Sequence, residues 1–125
     1  MKILLFISYV SFISTGIPLV FVPKVKYSVV NGSSVSLDCQ VNVGTPAETN
    51  VQWIKIIEKE KLEIINVGGN PKKYAGATEN KPSLTILNAD DSNEGYYICQ
   101  ALNAVGKGQS SIVRLEVMSG NYSQI

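Results

Sequence analysis

The stretch Gly95-Tyr96-Tyr97-Ile98-Cys99-Gln100-Ala101-Leu102 decides the fold. It is rich in aromatic and apolar residues and lacks proline, and in a strand successive side chains point to opposite faces. Tyr97, Cys99 and Ala101 therefore share one face, and Tyr96, Ile98 and Gln100 the other. Sixty residues upstream, Val35-Ser36-Leu37-Asp38-Cys39-Gln40-Val41 alternates through four apolar positions, the period of a strand with one buried face, so Cys39 points inward. Fourteen residues after Cys39 comes Trp53, in the β-branched run Asn50 to Ile57 (NVQWIKII), where Val51 and Trp53 share a parity that buries both.

The remaining segments follow the same period. Glu58-Lys59-Glu60-Lys61 reads as a solvated turn, Leu62 to Val67 as a short strand, and Gly68-Gly69-Asn70-Pro71 as a loop. Ser83 to Leu87 alternates again and buries Leu84 and Ile86. Asn103 to Gly108 supplies a turn with two glycines, and Ile112 to Val117 puts Val113, Leu115 and Val117 on the buried parity. With no convincing amphipathic helix and no internal repeat, short strands at this spacing predict an all-β, antiparallel two-sheet sandwich.

The chain has 125 residues, enough for one small domain. Eleven basic against ten acidic residues leave nothing to grip nucleic acid or an anionic membrane electrostatically. The absence of histidine removes the usual catalytic base and the commonest metal ligand. Met1-Lys2 followed by the uncharged run Ile3 to Ile13, then Ser14-Thr15-Gly16, reads as an export signal cleaved after Gly16. The competing reading is a membrane anchor, because the uncharged stretch continues to Val22. Gly16 and Pro18 interrupt that run, and the segment from Pro18 is wanted as the first strand. Removal of 16 of the 125 residues leaves 109, expected as a domain over 17–118 and a tail over 119–125. In an oxidising compartment an even pair of cysteines reads as a structural disulfide, here Cys39 with Cys99. Asn31-Gly32-Ser33 and Asn121-Tyr122-Ser123 are glycosylation sequons, so Asn31 and Asn121 are candidate acceptors on a secreted surface.

Cys39, Trp53, Leu84-Thr85-Ile86 and Gly95-Tyr96-Tyr97-Ile98-Cys99 together resemble a domain of the immunoglobulin superfamily, over nearly everything from Pro18 to Val117. Ala101-Leu102-Asn103-Ala104-Val105-Gly106 resembles a segment of that superfamily's intermediate set, found in cell-adhesion and matrix proteins. The resemblance implies that Trp53 packs on the disulfide and that the Tyr97 phenol bonds a carbonyl in the preceding turn. It implies strands A (Pro18 to Val30, kinked at Pro23), B (Ser34 to Val41), C (Asn50 to Ile57), C′ (Leu62 to Val67), D (around Tyr74), E (Ser83 to Leu87), F (Gly95 to Leu102) and G (Gln109 to Val117). One departure stands out. The family usually pairs an Asp six residues before the second cysteine with an Arg near the start of strand D, whereas here that position is Asn93 and the only arginine, Arg114, lies in strand G.

Nothing in the chain reads as catalytic. Asp90, Asp91, Asn93 and Glu94 form an oxygen-rich cluster, but without the glycine-punctuated spacing of a calcium loop they read as a solvated turn. Gly106-Lys107-Gly108-Gln109-Ser110-Ser111 lacks the residue order and following helix of a phosphate loop and reads as part of a hairpin. No enzyme, metal or cofactor is expected. The expectation is an extracellular binding module for a protein ligand or a second copy, or, as the alternative, a spacer or secreted antagonist; after signal cleavage no membrane insertion is expected. Parity on strands C, F and G turns Ile54, Ile56, Tyr96, Ile98 and Ile112 outward beside Gln52, Gln100 and Arg114, an apolar face of the kind that marks an interaction site.

Overall fold

Short strands account for about half of residues 16–120, the part of the chain that the computed structural model describes. In chain order they are β1 (Leu19–Phe21), β2 (Lys26–Val30), β3 (Val35–Leu37), β4 (Gln40–Asn42), β5 (Asn50–Glu58), β6 (Lys61–Ile64), β7 (Tyr74–Gly76), β8 (Leu84–Ile86), β9 (Gly95–Leu102), β10 (Lys107–Gln109) and β11 (Val113–Met118). One turn of 3-10 helix, Asp91–Asn93, precedes β9. One sheet runs β2-β11-β9-β5-β6, with β10 also paired to β9; the opposing layer is made of β3-β8-β7 and the pair β1-β4.

Strand A is two strands because of Pro23. Proline cannot donate to a ladder, and on either side of it the chain serves different sheets. β1 pairs antiparallel with β4 (Val20 opposite Val41), and β2 pairs parallel with β11 (Leu115 opposite Tyr27). Strand B also divides, at Asp38 and Cys39, where side-chain hydroxyls replace the backbone ladder. The Asp38 amide donates to Tyr27 Oη (3.0 Å) and the Cys39 amide to Ser83 Oγ (2.9 Å).

Inward parity fills the space between the sheets. Leu37, Trp53, Leu84, Ile86, Tyr97, Cys99, Val113 and Leu115 are fully buried, and the Cys39–Cys99 disulfide crosses the layers with Cα atoms 6.6 Å apart. A bridge closing so long a loop stabilises by about 4 kcal/mol in the chain-entropy model. The polar tips of the two large aromatic residues are satisfied. Trp53 Nε1 donates to the Pro82 carbonyl at 2.8 Å, and the Tyr97 hydroxyl donates to the Asn93 carbonyl.

Three local expectations change. The strand expected from Leu62 to Val67 ends at Ile64, because Asn66 starts a turn by accepting the Gly69 amide, while Ile65 and Val67 go into the inter-sheet core. The turn after β9 is tighter than Asn103 to Gly108. The Asn103 side chain accepts both the Val105 and Gly106 amides, and Lys107–Gln109 already forms β10. Strand G is therefore β10 and β11, with a break between them. The ion pair missing at Asn93 is replaced by a neighbouring one: Lys73, just before β7, reaches Asp90 at 3.2 Å and the Asn88 carbonyl at 2.9 Å.

Candidate functional site

The face of the β11-β9-β5-β6 sheet directed away from the core is built in rows, because residues opposite one another in a ladder point to the same side. The registers Gln109↔Gln100↔Gln52 define a row of glutamines. Ile98↔Ile54↔Ile64 define a row of isoleucines, and Arg114↔Tyr96↔Ile56↔Leu62 a mixed row. Ile112 joins the isoleucine row through a bulge. Gln109 pairs with Gln100 but Val113 with Tyr97, so three residues oppose two, and both Ser111 and Ile112 are exposed.

The parity reading holds for direction, but exposure differs at two positions. Ile54 points away from the core yet is only 5% exposed, because Ile98 and Ile64 flank it across the sheet and Gln52 and Ile56 along its own strand. Gln100 is 4% exposed, enclosed by the glutamines on both sides. These two are the floor of the face and not its contact surface. Ile56 and Ile98 are half-buried, while Tyr96 and Ile112 are exposed. Sequence reasoning missed Leu62 and Ile64, which are 56% and 58% exposed and extend the patch onto β6. The signal was present: the Glu58 to Lys61 turn fixes the hairpin register that sets Ile64 beside Ile54.

Polar groups frame this surface. Gln52 Nε2 donates to Gln100 Oε1 at 3.0 Å, and Gln100 Nε2 donates to Gln109 Oε1 at 2.9 Å. The Arg114 guanidinium lies over the Tyr96 ring, 5.2 Å from its centroid, a cation–π contact between neighbouring strands. Asn31 is exposed in the turn between β2 and β3, at the end of the sandwich where its backbone amide donates to the Met118 carbonyl; Asn121 and all but Gly16 of the export signal expected over 1–16 lie outside the described residues.

The oxygen cluster is committed to local structure. Asp90 caps the 3-10 turn by accepting the Ser92 amide, and buried Asn93 accepts the Asp90 amide through Oδ1. Glu94 accepts the Val117 amide at 2.9 Å. Hydrogen bonds from Ser92 and Lys73 hold the Asp90 carboxyl below its ordinary pKa. Burial pushes the Tyr97 phenol well above its ordinary range, aided by Tyr74, Glu63 and Asp90, so it stays a hydrogen-bond donor.

The Immunoglobulin I-set domain family matches residues 20–117. The chain belongs to that family. Among similar proteins, Cell adhesion molecule Dscam2 of Drosophila melanogaster is 30% identical over 102 residues, covering 81% of this chain and 5% of its own length. Cell adhesion molecule Dscam1 of the same fly is 28% identical over 88 residues, covering 70% of this chain and 4% of its own length. The chain thus spans about one-twentieth of these relatives. A solved structure of tandem Ig repeats of Dlar superposes with a TM-score of 0.67 at 24% identity, over 88% of this chain and 52% of that one. At that identity the likeness shows the fold. Among the described residues, no helix is long and apolar enough to cross a membrane.

Proposed function

We propose that this I-set domain is an extracellular, non-catalytic binding module that acts in adhesion or recognition through protein–protein contacts on the β11-β9-β5-β6 face. The observation that carries the reading is the contiguous apolar surface of Leu62, Ile64, Ile56, Ile98, Tyr96 and Ile112. A pure spacer has no use for such a surface, whereas a soluble domain that exposes one needs something to cover it. Similarity to domains of fly cell adhesion molecules supports the same class of role. Export through a signal cleaved after Gly16 belongs to this reading, as does glycosylation at Asn31 and Asn121. An Asn31 glycan would sit at the end of the sandwich and leave the face open.

The test uses exposed positions, because an aspartate at buried Ile54 would unfold the sheet. Beads coated with the chain carrying Ile64→Asp and Ile112→Asp together should lose attachment to cells and to one another, with the melting temperature close to wild type. Undiminished attachment by the folded double variant rejects the face as the binding surface.

A further inference from the structure

The last residue of the expected leader is built into the domain, and we infer that folding and leader removal compete for it: the Gly16–Ile17 bond can be cut only before the domain closes on it. This rests on the export reading, in which a peptidase cuts there. Gly16 forms a bridge with Thr45, donating its amide to the Thr45 carbonyl and accepting the Thr45 amide, both at 3.2 Å. Its carbonyl oxygen also accepts Asn103 Nδ2 at 2.8 Å. Gly44 packs against the same atoms. A Cβ there would lie 2.2 Å from the Gly16 oxygen and 2.8 Å from the Ile17 carbonyl carbon and oxygen, so only glycine lets the two segments pass this closely.

Hydrolysis needs the atoms that this clamp occupies. The oxygen of a water adds to the Gly16 carbonyl carbon, the bond to the Ile17 nitrogen breaks, and that nitrogen leaves with a proton, giving a Gly16 carboxylate and an Ile17 amine. On the way the carbonyl oxygen becomes an oxyanion, which a peptidase holds with its own donors at about 2.7 to 3.1 Å. In the folded domain the Thr45 amide and the Asn103 side chain already hold that oxygen. Synthesis leaves time for the cut. Asn103 lies 87 residues beyond Gly16, about 4 to 17 s at roughly 5 to 20 residues per second, and the clamp cannot close sooner. A chain that closes first keeps its leader. The fold then takes residues 17–22, with Pro18 and Val22 buried on either side of β1, and leaves the uncharged run only residues 3–15. As a helix that run would reach about 20 Å against a bilayer core of roughly 30 Å, so folding first does not make a membrane anchor of the leader.

The test presents the full chain, leader included, to purified signal peptidase in detergent micelles and follows the new N-terminus by mass spectrometry. One sample is folded with its Cys39–Cys99 bridge intact; the other is reduced, alkylated and unfolded by circular dichroism. The unfolded chain should be cut after Gly16, and the folded chain at least about tenfold more slowly, because cutting then waits on local opening. Two variants release the clamp without touching the core. Asn103→Asp still accepts the Val105 and Gly106 amides but loses the NH2 that holds Gly16, and Gly44→Ala pushes Gly16 and Ile17 away. Either, folded, should regain most of the lost rate. Equal cutting of folded and unfolded wild type overturns the inference and leaves the export reading standing. Folded variants as resistant as wild type overturn the clamp as the cause. An unfolded chain that is not cut after Gly16 overturns the export reading itself, and the inference with it.

Discussion

Asn93 shows how one changed residue redistributes a local network. An aspartate there would pair with a cation at the start of β7; asparagine keeps the geometry as a buried acceptor for the Asp90 amide and leaves the charge to Asp90 itself. Because the Asp90 carboxyl is held below its ordinary pKa by hydrogen bonds from Ser92 and Lys73, it contributes stability that is present above the usual carboxylate range and lost as pH falls through the depressed folded value. Asp90→Asn should therefore flatten the acid limb of a melting temperature against pH curve, and an unchanged limb would show that Asp90 is not linked to folding. Trp53 sits at the opposite extreme of burial, fully enclosed with its indole N–H bonded to Pro82. Trp53→Ala should cost about 3 to 5 kcal/mol, a large share of a domain's roughly 5 to 15 kcal/mol, and collapse secretion yield. Trp53 carries its role visibly in the sequence, through its spacing from the cysteines; Asn93, which reads there as part of a solvated turn, is buried in the structure, and the Lys73–Asp90 pair depends on how two loops meet.

At the scale of elements, alternation told direction and not exposure. Ile54 and Tyr96 share an outward parity, but Ile54 lies mid-sheet among bulky neighbours while Tyr96 lies near a strand end. Burial on an outer face is set by which strands come alongside, and that requires register. Leu62 and Ile64 are the exception, because the Glu58 to Lys61 turn sets them beside Ile56 and Ile54 within one hairpin. Ile54→Asp should abolish folding, whereas Ile64→Asp should leave the thermal midpoint within a few degrees, as circular dichroism will measure. The switch of partners at Pro23 was legible as a kink, because proline announces itself. The role of Gly108 was not: it reads as a hairpin glycine, yet a Cβ there would lie 2.0 Å from the Pro18 carbonyl oxygen, since β10 runs against the chain entering β1. Gly108→Ala should lower the melting temperature clearly, while the same change at Gly68, where a Cβ meets open space, should not.

For the whole molecule, the disulfide, the tryptophan and the aromatic strand were enough to establish the sandwich, because one inter-sheet bridge with alternating strands admits few other architectures. The candidate face needed the folded register, and its glutamine row joins β5 to the β9–β10 hairpin, with Gln52 and Gln100 48 residues apart in sequence. The paths of the two ends also emerge only in three dimensions. Gly16 is hydrogen-bonded to Thr45 at the pole that carries the turn after β9, whereas Met118 is bonded to Asn31 at the other pole. Between them, β2 and β11 run side by side in the same direction through five paired residues. Tension applied along the molecule therefore loads that seam lengthwise, so its hydrogen bonds resist together in shear instead of opening one at a time like a zip. A domain loaded from one pole to the other in this way resists stretching while the apolar face on the same sheet keeps its shape.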